Sequence, residues 1–83
     1  ISIVELTEEG EKDFQKIYFG RPKAPKIEET ETPGKKRYYF DCSINQLYLY
    51  FRRFNAGEAI VLEPESLRNE IIAFHDKSKK AYD

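Results

Sequence analysis

The apolar residues of this chain keep changing their spacing, and that constrains the fold more than any single motif. In "KKRYYFDC" polar and apolar positions alternate, the period of a strand with two unlike faces. Directly afterwards, in "INQLYLYFRRF", Ile44, Leu47, Tyr48, Phe51 and Phe54 recur three and four residues apart, the period of a helix. Ser43 stands between the two, a side chain suited to capping the helix N-terminus.

The same reading gives seven segments. "ISIVELT" is a strand, and Thr7 caps a helix whose first turn carries Glu8, Glu9 and Glu11, where the helix dipole favours negative charge. Gly10, Phe14, Ile17 and Tyr18 share a face of that helix, and Gly20 and Pro22 end it. The charged "APKIEETET" is a weak edge strand, joined by Pro33-Gly34 to the strand "KKRYYFDC" as a hairpin. The second helix stops at Asn55-Ala56-Gly57, and "AIVLE" is a strand with apolar residues on both faces. A last helix starts at Pro64 and carries Leu67, Ile71, Phe74, Ser78 and Tyr82 in line. The order βαββαβ with a C-terminal helix is the ferredoxin-like α+β arrangement, an antiparallel sheet with helices against it.

With 83 residues, 40% of them hydrophobic and 35% charged, residues 1–83 have material for one small soluble domain with one core. Fourteen basic against fifteen acidic side chains leave a net charge of −1, so no overall field draws the chain to nucleic acid or membrane. The lone cysteine, Cys42, has no disulfide partner within the chain and no metal-ligand neighbours; it reads as a small core residue in a reducing cytoplasm. No apolar run reaches membrane-span length and no signal-peptide pattern opens the chain. The start inside a strand and the absence of methionine suggest a piece of a longer protein.

Nothing in the sequence signals catalysis. Glu63 and Glu65 flank a strand-to-helix junction where carboxylates favour the helix N-terminus, and that accounts for them without acid–base work. His75 lies on the flank of the last helix beside Arg68 and Lys79, with no carboxylate or cysteine at ligand spacing except Asp76, which faces elsewhere, while Ser43 and Ser66 sit in no nucleophile elbow and no glycine-rich phosphate loop occurs. We expect no enzyme, no metal and no cofactor.

The run "GEAIVLEPESLRNEI", followed by a long helix carrying "KKAY", resembles the C-terminal extension domain that follows the WYL domain in a large group of bacterial transcriptional regulators. "VELTEEGEKDF", "RYYFDC" and "INQLYLYFRRFNAGEA" follow that domain's order as well, and the run from Leu62 to Arg68 is the most specific part. The resemblance implies an upstream winged helix-turn-helix that binds DNA and a central Sm-like barrel that senses a ligand or single-stranded nucleic acid. It further implies that the extension helps to dimerise the protein and relay the signal. This chain has no tryptophan and no helix-turn-helix pattern, so those upstream parts lie outside it, their binding residues have no counterpart here, and contact with DNA is indirect.

The residues add candidate surfaces. If Tyr38, Phe40 and Cys42 face the helices, alternation sends Arg37, Tyr39 and Asp41 to the opposite sheet face, together with Ile3 and Val61. An apolar surface left open in this way suggests an interface, and Leu49 and Ile72, on the polar sides of their helices, extend it to a homodimer. The alternative is a sensor that binds a nucleotide or single-stranded nucleic acid on the open sheet face through Arg37 and Tyr39, with Arg52 and Arg53 nearby.

Overall fold

A computed structural model describes residues 1–55 and 57–82, with only the backbone of Tyr82. Ala56, within the expected helix stop, and the side chain of Tyr82 lie outside the described residues. The elements are β1 (Ser2–Leu6), α1 (Glu8–Lys16), β2 (Lys26–Glu29), β3 (Lys36–Phe40), α2 (Ile44–Phe51), β4 (Ala59–Glu63) and α3 (Glu65–Tyr82). The strands form one antiparallel sheet in the order β2-β3-β1-β4. This is the ferredoxin-like α+β fold with its additional C-terminal helix.

One sheet face and all three helices share the core. Val4 and Leu6 of β1, Tyr38 and Phe40 of β3 and Val61 of β4 meet Phe14 of α1, Leu47, Tyr50 and Phe51 of α2, and Leu67 and Ile71 of α3. Phe14 is the aromatic hub, its ring centroid 5.1 Å from Tyr38 and 5.8 Å from Tyr50 in tilted and edge-on geometries that suit the ring quadrupoles. The Tyr38 hydroxyl reaches the edge of the layer and donates to Glu11 Oε2 at 2.7 Å.

Local chemistry sets the helix starts. Thr7 Oγ1 accepts from the Gly10 N–H at 3.1 Å, and Ser43 Oγ accepts from the Gln46 N–H at 3.1 Å, both in extended N-cap conformations. α3 begins at Glu65 rather than Pro64, and the Pro64 carbonyl accepts its first helical hydrogen bond, from the Arg68 N–H at 3.1 Å.

The helix ends depart from the sequence reading. α1 stops at Lys16, so Tyr18 does not continue its buried face and is 76% exposed. Its last carbonyls are satisfied from outside the helix. Arg21 Nη1 donates to Phe14 O at 3.0 Å, and the Tyr50 hydroxyl donates to Ile17 O at 2.6 Å. α2 stops at Phe51, and the chain tightens into turns in which Arg53 N–H bonds Tyr50 O and Phe54 N–H bonds Phe51 O. That spacing still brings Phe54 into the core. The buried stripe of α2 is Leu47, Tyr50 and Phe51, while Ile44 is exposed and Tyr48 half-buried; Cys42 is likewise half-buried at the core margin.

Val61 is the main correction to the expected surfaces. It pairs with Val4, so it points into the core and is 4% exposed. The register between β1 and β4 shifts between Ile3 and Val4, putting Ile3 opposite Glu63 and Glu5 opposite Ile60. Ile60 therefore emerges where Val61 was expected.

Candidate interaction surface

The open sheet face is a ladder of charges interrupted by Tyr39, Ile3 and Ile60. Across it run Lys26, Tyr39, Ile3 and Glu63 in one row and Glu28, Arg37, Glu5 and Ile60 in the next. The Tyr39 hydroxyl donates to Glu28 Oε1 at 3.0 Å, and the Lys26 ammonium lies 4.7 Å from the centre of the Tyr39 ring. Arg37 Nε is 3.8 Å and Lys35 Nζ 3.9 Å from the Glu5 carboxylate. The Tyr39 hydrogen bond, followed by the nearby Lys26 charge, holds the Glu28 carboxyl below its ordinary range. A ligand stacking on Tyr39 must displace Lys26, and an anion approaching Arg37 meets Glu5 and Glu28 beside it.

Arg52 and Arg53 belong to a different part of the molecule. The Arg52 guanidinium lies 5.5 Å from the Tyr48 ring centre and 5.4 Å from that of Phe74, where α2 meets α3. Those two rings meet edge-on at 6.2 Å. Arg53 donates to Phe19 O at 2.8 Å and Tyr50 O at 3.3 Å, and its guanidinium lies 4.8 Å from the Tyr50 ring centre. Both arginines thus join elements of the helical layer. The sheet lies between them and the pair Arg37 and Tyr39, so these four residues do not form one site.

The expected interface residues are also distributed. Ile3 and Tyr39 are paired and half-buried on the open face. Leu49 is 44% exposed and shares a shallow hollow with Phe19 and Arg53. Ile72 is 57% exposed and lines a separate groove of about 540 Å³ between β4 and α3. Val61, Ile71 and Ile72 line that groove with Ile60 at its β4 edge, and Arg68, His75, Asp76 and Lys79 stand along it. The sequence reading picked out Ile72 on the polar side of its helix but missed Ile60 and the groove. Its recognition requires knowing that β4 ends the sheet.

Among the described residues no group of three or more His, Cys, Asp or Glu is arranged to hold a metal ion. Glu63 and Glu65 are both exposed, and burial, followed by the Asp41 charge, pushes the Cys42 thiol up from its ordinary value. No described helix is long and apolar enough to cross a membrane.

No protein-family model matches this chain, and no curated protein does. A solved structure described as a CRISPR Cas-related protein is similar, with a TM-score of 0.77 and 28% sequence identity. The match covers 98% of this chain and 20% of that one, so this chain spans about a fifth of the length of that structure.

Proposed function

We propose that this chain is a non-catalytic regulatory module of a WYL-type transcriptional regulator, in which it mediates dimerisation and relays effector binding to an upstream DNA-binding domain. The observation that carries the reading is the match to the CRISPR Cas-related protein, in which nearly all of this chain corresponds to one-fifth of a longer chain. The sequence resemblance to the C-terminal extension of WYL regulators, running from "VELTEEGEKDF" to "VLEPESLRNEI", supports the same role. The exposed Ile60 and Ile72 at one edge of the domain support association with another chain.

The ligand-sensing alternative has weaker support, because Tyr39 is engaged by Lys26 and Glu28 and Arg37 stands beside Glu5. Fluorescence anisotropy of a labelled short single-stranded oligonucleotide, titrated with this chain at about 50 mM and about 200 mM salt, tests the choice. The dimerisation reading expects no saturable binding in either buffer. Binding that is strong at low salt and collapses at high salt would favour the alternative.

A further inference from the structure

We propose that the edge formed by β4 and α3 is the docking surface for a second copy of this chain, which it meets antiparallel about a two-fold axis passing beside Ile72. The proposal rests on the dimerisation reading above and assigns it a surface and a register. Its basis is a charge pattern that is complementary to its own reverse. At 100° per residue, Glu65, Arg68, Ile72, Asp76 and Lys79 fall in one stripe, about 80° wide, on the outer flank of α3. Two copies of this helix laid antiparallel about Ile72 set Arg68 of each against Asp76 of the other, and Glu65 of each against Lys79 of the other. Both ion pairs are opposite in sign, and Ile72 meets itself at the centre. An antiparallel two-fold contact requires a surface that complements itself in this way.

The neighbouring strand fits the same axis. β4 ends the sheet, so one of its backbone edges has no strand beside it among the described residues. Paired antiparallel about Val61, two copies of "AIVLE" place Ile60 opposite Leu62 and continue the sheet across the axis. Val61 and Ile72 line the same groove, so the centre of the strand pair and the centre of the helix pair lie together. Asp76 is now 3.7 Å from Lys80, but both side chains are largely exposed, and such a pair is readily exchanged.

Sedimentation equilibrium of the whole chain with Arg68→Glu, with Asp76→Arg, and with the two proteins mixed tests the register. Both positions are exposed on α3, and circular dichroism checks that each variant is folded. Each single variant places like charges together twice per dimer and is expected to associate at least tenfold more weakly than the parent. The equimolar mixture restores opposite charges at both contacts and is expected to recover a one-to-one heterodimer near the parental affinity. A parent dimer whose affinity neither single variant moves would overturn this surface and leave the dimerisation reading standing. Weakened single variants that fail to recover on mixing would overturn the register. A parent chain that is monomeric at every concentration would overturn the dimerisation reading and this surface with it.

Discussion

The Tyr50 hydroxyl donates to the Ile17 carbonyl at 2.6 Å, tying the last turn of α2 to the end of α1 across a separation of 33 residues. Tyr50 is 1% exposed and Ile17 half-buried, so this contact closes the end of α1 at the margin of the core. Tyr50→Phe keeps the ring packing and removes the donor, and is expected to cost about 1–2 kcal/mol in urea unfolding. Tyr50→Ala also removes the ring from among Phe14, Phe51 and Phe54, and should cost about 3–5 kcal/mol.

Tyr50 also makes stability depend on alkaline pH. Burial pushes its hydroxyl up to about 12 from an ordinary value of 10.0, against the opposing pull of Arg21 and Arg53. The unfolded chain therefore releases this proton first, and stability present below pH 10 declines as pH rises toward 12. Tyr38, raised mainly by burial and then by its bond to Glu11, adds a loss of the same sign. Denaturant midpoints measured from pH 8 to 12 should fall less steeply for Tyr50→Phe than for the parent, with the Tyr38 share remaining.

Gly10 is in close contact with the chain before β4. A Cβ built there collides with the backbone carbonyl of Glu58, the same carbonyl that accepts from the Thr7 N–H at 3.1 Å. Alanine is favoured over glycine in a helix by about 1 kcal/mol, but the obstacle is backbone and cannot rotate away. Gly10→Ala is expected to destabilise by about 1–3 kcal/mol in thermal or chemical unfolding. A more stable variant would contradict this packing.

The two candidate interfaces respond to different substitutions. Ile72→Glu puts a charge at the centre of the β4–α3 groove and is expected to weaken self-association at least tenfold, a difference of about 1.4 kcal/mol. Tyr39→Ala, on the open face, is expected to shift the dimer constant less than twofold. Analytical ultracentrifugation of both variants reads the contrast directly.

The order of elements was legible because the period changes cleanly at capped boundaries such as Thr7 and Ser43. The phase of β4 was not, since every interior residue of "AIVLE" is apolar and alternation has no polar position to anchor it. Tyr50 was missed for a related reason. A tyrosine suits either face of a helix, and its burial depends on α1 ending where its hydroxyl can reach Ile17 O. Tyr39 and Arg37 were correctly assigned to one sheet face, but their engagement by Lys26, Glu28 and Glu5 depends on cross-strand register. Neighbours in sequence, Arg52 and Arg53 nevertheless point to different aromatic partners.

Sedimentation equilibrium of the unmodified chain over a wide concentration series, at low and high salt, tests the central claim most directly. The account predicts a concentration-dependent dimer that persists at high salt, because apolar contacts between copies are not screened as charges are. A monomer at all concentrations in both buffers would contradict it.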